Sequence, residues 1–220
     1  RLAERIGRSR VIEAARRLGL SGELANHPSL TLGVNEVSLL ELTGAYGPFA
    51  NGGQGVIPYG IREIRDSGGL VLFRHNGSGI GPVMTPQEAA QMTDMMVGVI
   101  SQGTGRAAQL SRPAAGKTGT SQDYRDAWFV GYSSDLVTGI WMGNDNAAPM
   151  NKVTGGGLPA KAWQAFMERS HQGVPPSPLF AHALVRIQQA SVEPPRAALA
   201  ATGIVVTAGN GPDDLIGARD

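Results

Sequence analysis

The sequence predicts a mixed α+β fold, helices packed on an antiparallel sheet, from three observations. Residues 114–120, 127–132 and 136–142 are β-rich runs in succession, the last two separated only by Ser133, Ser134 and Asp135. Strands joined by so little chain pair antiparallel, because a parallel crossover needs about a dozen residues or more. Segments with apolar residues at helical spacing lie on both sides of them. The 31 glycines and 14 prolines among 220 residues favour many turns and short elements over long helices.

Each element has its own signal. Leu2, Ile6, Val11, Ile12, Ala15 and Leu18 recur at roughly helical spacing and Gly19 can end the pattern, so residues 1–20 read as one or two short amphipathic helices. Six arginines against two glutamates in that stretch fit a solvated helix side better than a binding face. Residues 36–50 carry a second helical pattern through Val37, Leu39, Leu40, Leu42 and Tyr46, stopped by Asn51-Gly52-Gly53. Residues 57–65 and 70–75, separated by Asp66-Ser67-Gly68-Gly69, predict a hairpin. Thr85 can cap a helix with Pro86 at its first position and Glu88 three residues after the cap, continued by residues 89–100. A last helix is expected at residues 159–169, with Trp163 and Phe166 on one side. Two Pro-Pro pairs, at Pro175-Pro176 and Pro194-Pro195, and an alanine-rich stretch mark residues 174–220 as a Pro/Ala-rich flexible C-terminal tail with a short helix near 179–190. That leaves residues 1–173 as one domain.

Composition excludes several functions. A net charge of +1, with Lys117, Lys152 and Lys161 the three lysines, offers no broad cationic face for a phosphate backbone, so nucleic acid is not an expected partner. The sequence holds no run of about 20 apolar residues, the length a helix needs to span a bilayer. Zero cysteines remove disulfides, thiolate nucleophiles and cysteine zinc sites together. His27, His75, His171 and His182 lack ligand spacing and are expected on the surface or in loops, so neither metal nor cofactor is implied.

The informative string is Gly116-Lys117-Thr118-Gly119-Thr120. A phosphate-binding loop would need a glycine five residues before Gly116 and a helix opening directly after the lysine. The earlier position is Ser111, Pro113 removes an amide donor, and Gly119 opposes a helix, so nucleotide binding is set aside. The alternative is the Lys-Thr-Gly motif of serine acyl transferases that react with penicillin. On an extended strand the Thr118 and Thr120 hydroxyls share one face and suit a carboxylate, while Lys117 and Gly119 face the other way. Gly119 allows a peptide substrate to approach the backbone as an added strand would. Asp126 is placed to orient Lys117 or Arg125, or to sit in a surface ion pair, and Trp128, Trp141 and Trp163 read as core.

Flanking residues extend the pattern. Arg1 to Gly7, Leu40-Glu41-Leu42-Thr43-Gly44-Ala45-Tyr46 with Asn51-Gly52-Gly53, Gly103-Thr104-Gly105, Asp126-Ala127-Trp128-Phe129-Val130-Gly131-Tyr132 and Trp141-Met142-Gly143-Asn144-Asp145 resemble the penicillin-binding proteins. They most resemble the C-terminal part of the transpeptidase domain of the bifunctional class A peptidoglycan synthases, over about residues 1–170. The resemblance implies a fragment of the serine β-lactamase/transpeptidase-like fold. It implies that Lys117 lines the active site, that Thr118 and Thr120 bind the substrate carboxylate, that the Thr120 amide is an oxyanion donor, and that Gly119 keeps the strand open. The implied partners are a peptidoglycan stem peptide ending in D-Ala-D-Ala and, in the intact protein, β-lactams. An upstream glycosyltransferase domain and a membrane anchor are implied as well, with the domain on the periplasmic side of the bacterial inner membrane.

Two departures temper this. No serine lies three residues before any of the lysines, where Ala114, Pro149 and Leu158 stand, so the nucleophile motif Ser-x-x-Lys is missing. No asparagine has the Ser or Tyr two residues before it that the second family motif needs. The expectation is a fragment beginning just after both motifs and inactive alone. Within the family a serine β-lactamase or D,D-carboxypeptidase shares the same strand; from another class, a non-catalytic assembly module would keep the sheet and lose the chemistry.

Overall fold

The computed structural model describes residues 1–77, 79–180 and 182–183. Its centre is a three-stranded antiparallel sheet of β5 (Ala115–Thr120), β6 (Asp126–Tyr132) and β7 (Val137–Gly143), in sequential order with β5 at one edge. The register runs unbroken, Lys117 opposite Val130 and Thr120 opposite Ala127 on one side, Trp128 opposite Trp141 and Tyr132 opposite Val137 on the other.

Before the sheet come α1 (Leu2–Ile6), α2 (Arg8–Arg17), α3 (Leu39–Ala45) and α4 (Gly47–Ala50). Gly7, at φ 91°, separates the first two, a backbone angle that a side chain strongly disfavours. The helix expected at 36–50 is shorter and broken. Ser38 starts it by accepting the Glu41 amide at 3.1 Å, and Pro48, which has no amide to give, interrupts it after Tyr46. Strands β1 (Gln54–Val56) and β4 (Gly79–Pro82) form one small antiparallel pair, and β2 (Glu63–Arg65) and β3 (Val71–Arg74) the predicted hairpin. The hairpin's first strand is a third as long as the sequence suggests because Pro58 and Gly60 interrupt residues 57–62. Its turn is closed by Asp66, whose carboxylate accepts the Gly68 and Leu70 amides at 2.9 Å each.

Helix α5 (Pro86–Ser101) has the predicted reciprocal cap: the Glu88 amide donates to Thr85 Oγ1 at 3.2 Å and the Thr85 amide to Glu88 Oε2 at 2.7 Å. Helix α6 (Leu158–Ser170) closes the fold. The sheet separates two cores. Phe129 on one face packs with Ile100, Ala108, Ala160, Trp163 and Met167, and Tyr132 and Ala115 on the other pack with Phe49, Met96 and Leu179. Leu179, only 3% exposed, belongs to the stretch expected to be a flexible tail. Residues 174–179 instead lie along the body, held by Arg112 Nη2 donating to the Val174 carbonyl at 2.6 Å. Of the short helix expected near 179–190, the Ala183 amide donating to the Leu179 carbonyl closes one turn; residues 184–220 lie outside the described residues.

A candidate active-site strand at the sheet edge

The Ser121 amide donates to the Asp126 carbonyl at 2.9 Å, one step beyond the Thr120–Ala127 pair. In an antiparallel ladder hydrogen-bonded pairs alternate, so Lys117 and Gly119 direct their backbone groups at β6 while Gly116, Thr118 and Thr120 direct theirs out of the sheet. The Thr120 N–H therefore points to the open edge. The Thr118 carbonyl does too, and Lys117 Nζ caps it at 2.8 Å. Among the described residues Lys117 has no carboxylate within ion-pair distance.

Side chains alternate as expected. Thr118 and Thr120 share the face of Phe129, whereas Lys117 and Gly119 share the face of Trp128 and Trp141. Two loops close on the threonine face. Thr104, in the turn after α5, meets Thr118 hydroxyl to hydroxyl at 2.7 Å, and the Gly155 amide donates to Thr120 Oγ1 at 3.0 Å. Gly155 and Gly156 lie so close to the strand that side chains are excluded: a Cβ on the first would collide with the Trp128 carbonyl and the Gly119 backbone, on the second with the Thr104 carbonyl. Counting protons, the Thr120 oxygen accepts the amide and keeps its own proton to donate. The Thr104–Thr118 pair consumes one of its two protons and keeps the other. Two O–H donors and one backbone N–H thus remain available where Lys117 supplies positive charge, a set suited to a carboxylate or a developing oxyanion.

The remaining sequence candidates fall elsewhere. Asp126 Oδ1 accepts from Trp141 Nε1 at 3.0 Å, so it orients neither Lys117 nor Arg125, and Arg125 donates instead to the Ala147 carbonyl. Trp163 is core at 0% exposure, Trp128 is half-buried, and Trp141, 38% exposed, is not core. His171 departs from its surface expectation: it is buried, its Nε2 2.9 Å from Ser133 Oγ and its Nδ1 2.6 Å from the Met167 carbonyl. Asp135 lies 3.6 Å from that same Nε2, so serine and carboxylate face one nitrogen and no Ser-His-Asp relay exists there. Ser111 is bonded to Glu168, and Ser121 Oγ accepts the Asp126 amide; neither has a lysine or histidine partner. Among the described residues no three His, Asp or Glu groups converge to hold a metal.

Two contributors carried no role in the sequence reading. In the sequence Thr104 is marked only by its matching tripeptide, and the signal for the second loop is the run Gly155-Gly156-Gly157, since three adjacent glycines point to a close backbone approach.

Residues 8–166 match the family described as penicillin binding protein transpeptidase domain. The chain belongs to that family. The transpeptidase domain is 38% identical to penicillin-binding protein 1A of Aquifex aeolicus over 76% of this chain and 23% of that protein, and 31% identical to penicillin-binding protein 2D of Bacillus subtilis over 77% and 26%. It spans about a quarter of the length of these curated relatives. Its fold matches the structure of PonA1 from Mycobacterium tuberculosis in complex with penicillin V (TM-score 0.68, 25% identity, 77% of this chain and 51% of that one). It also matches penicillin-binding protein 1A from Haemophilus influenzae (TM-score 0.71, 23% identity, 80% and 33%). The mixed helical and antiparallel-sheet architecture is that of penicillin-binding transpeptidase domains.

Proposed function

We propose that this chain supplies the substrate-binding wall of a peptidoglycan D,D-transpeptidase, with β5 as the edge against which a stem peptide ending in D-Ala-D-Ala lies. The observation that carries the reading is the outward donor set of Lys117, Thr118 and Thr120 on an unpaired strand edge. Lys117 and the two threonine hydroxyls hold the terminal carboxylate, and Gly119, lacking a side chain, admits the peptide backbone. The outward Thr120 amide is one of two oxyanion donors.

The chemistry needs a nucleophile, and Ser111 and Ser121 have no base. No serine of the sequence stands three residues before a lysine, and in this reading the serine, its lysine and the Ser-x-Asn group come from outside these 220 residues. The serine oxygen attacks the carbonyl of the penultimate D-Ala, the collapsing intermediate breaks the peptide bond and releases D-Ala, and an amine of a neighbouring stem displaces the serine to form the cross-link. β-Lactams enter the same site through their carboxylate and acylate the same serine. In this reading the chain alone is inactive, and the whole protein works on the periplasmic side of the inner membrane, anchored by a segment outside this chain.

The test is Thr118→Val/Thr120→Val in the full-length protein, which removes two hydroxyl donors and keeps strand shape. Hydrogen bonds to charged groups are worth about 1.5–3 kcal/mol each, so acylation by a fluorescent penicillin slows by about two orders of magnitude or more. Unchanged acylation kinetics would remove the carboxylate role.

A further inference from the structure

Thr104 is built into this wall more firmly than a surface threonine needs to be. It follows α5, and the turn is pinned on both sides: the Gly103 amide donates to the Gly98 carbonyl and the Gly105 amide to the Val99 carbonyl, each at 2.9 Å. Neither flanking glycine can carry a side chain without displacing its neighbours. A Cβ on Gly103 would stand 2.8 Å from Val99 Cα, and one on Gly105 3.1 Å from the Phe129 ring. From the other side Gly156 closes on the Thr104 carbonyl. Three glycines therefore fix one exposed threonine so that its Oγ1 lies 2.7 Å from Thr118 Oγ1.

We propose that Thr104 is a positioning residue for the acyl donor's carboxylate: it donates its hydroxyl proton to Thr118 Oγ1 and so leaves the Thr118 proton to point at the carboxylate. This rests on the reading of β5 as the carboxylate wall. Of two paired hydroxyls only one can donate across the pair. A carboxylate is an acceptor without protons, so its arrival beside Thr118 requires Thr118 to donate outward and Thr104 to donate inward. The resulting chain, Thr104 to Thr118 to carboxylate, is polarised in one direction, and each bond strengthens the next. Without Thr104, the Thr118 hydroxyl loses the donor that fixes its rotor and must be oriented by water.

The experiment uses the full-length protein and compares acylation by a penicillin with acylation by its methyl ester, in which the carboxylate charge is gone. Thr104→Val, which keeps shape and loses the hydroxyl, is expected to slow the carboxylate form about three- to tenfold, the effect of one intramolecular hydrogen bond. The ester, whose neutral carbonyl is a weaker acceptor than the carboxylate, slows less, and the melting temperature stays unchanged. Thr104→Ser restores the rate, and Thr104→Val adds nothing in a Thr118→Val background, because the two residues act as one unit. Equal slowing of both probes, no slowing, or full additivity with Thr118→Val overturns the proposal. Should the valine variant fail to fold, Thr104→Ala is read in the same way. A slow Thr118→Val beside a normal Thr104→Val removes only the role of Thr104; a normal Thr118→Val removes the carboxylate wall and this inference together.

Discussion

The Gly155 amide donates to Thr120 Oγ1 at 3.0 Å, fastening the loop before α6 onto the edge strand. That bond exists because Gly155 presses on the Trp128 carbonyl and the Gly119 backbone with no side chain between. Gly155→Ala must push the loop off the strand and free the Thr120 rotor. Displacements of about 1 Å at a reacting centre cost up to about a hundredfold in rate. Penicillin acylation of the full-length protein is therefore expected to fall about ten- to a hundredfold, measured by stopped-flow fluorescence. Wild-type rates in this variant would mean that the loop does not position Thr120.

The second core face is held by a buried polar pair. Thr93 Oγ1 donates to the Ala89 carbonyl at 2.7 Å, so the Tyr132 hydroxyl, 2.8 Å away, is the donor to Thr93. Burial pushes the Tyr132 hydroxyl above the ordinary tyrosine range, keeping it protonated as that donor. Tyr132→Phe removes a donor and leaves a satisfied threonine, costing about 0.5–1.5 kcal/mol, whereas Thr93→Val strands a buried O–H and costs about 1–3 kcal/mol. Denaturant titration of the variants is expected to give that order, and the reverse order would contradict the donor assignment.

The cap of α5 gives a pH signature. Hydrogen bonds from the Thr85 amide and then the Thr85 hydroxyl hold the Glu88 carboxyl below its usual range. A depressed carboxyl contributes stability that is present above its unfolded value and lost as the pH falls through its folded value. Glu88→Gln is expected to flatten the acid limb of the melting-temperature profile below the ordinary glutamate range. Thr85→Ala is expected to remove the cap itself, about 1 kcal/mol. Parallel acid limbs in Glu88→Gln and wild type would exclude the cap as their source.

Leu179 tests where the packed body ends. Its side chain fills the core beside Phe49, Met96 and Tyr132, so Leu179→Ala is expected to cost about 2–5 kcal/mol, the range for emptying a buried leucine site. A change below about 0.5 kcal/mol, the level of ordinary surface substitutions, would return residues 174–179 to the tail.

Much of the scaffold was legible because its signals are local. The Thr85–Glu88 cap, the three strands around Ser133-Ser134-Asp135 and the face shared by Thr118 and Thr120 follow from spacing alone, and all are present. What escaped depends on contacts distant in sequence. The break at Pro48 has a local signal in the proline itself, but the docking of Leu179 on Tyr132, the burial of His171 against Ser133 and the loop of Gly155 over Trp128 join residues tens of positions apart, which no periodicity encodes. Adjacency in sequence points Asp126 at Lys117, at Arg125 or at a surface ion pair, and the strand instead turns it to Trp141 across the sheet.

Intact-mass spectrometry after incubation with penicillin tests most directly whether this chain is the binding wall of an acyl-enzyme site whose nucleophile lies outside it. Residues 1–220 alone are predicted to keep their mass, since oxyanion and carboxylate donors without an activated serine form no ester. The full-length protein is predicted to gain one penicilloyl group, on a serine outside these residues. A stoichiometric adduct on residues 1–220, at Ser111, Ser121 or any other serine of the chain, would contradict the account.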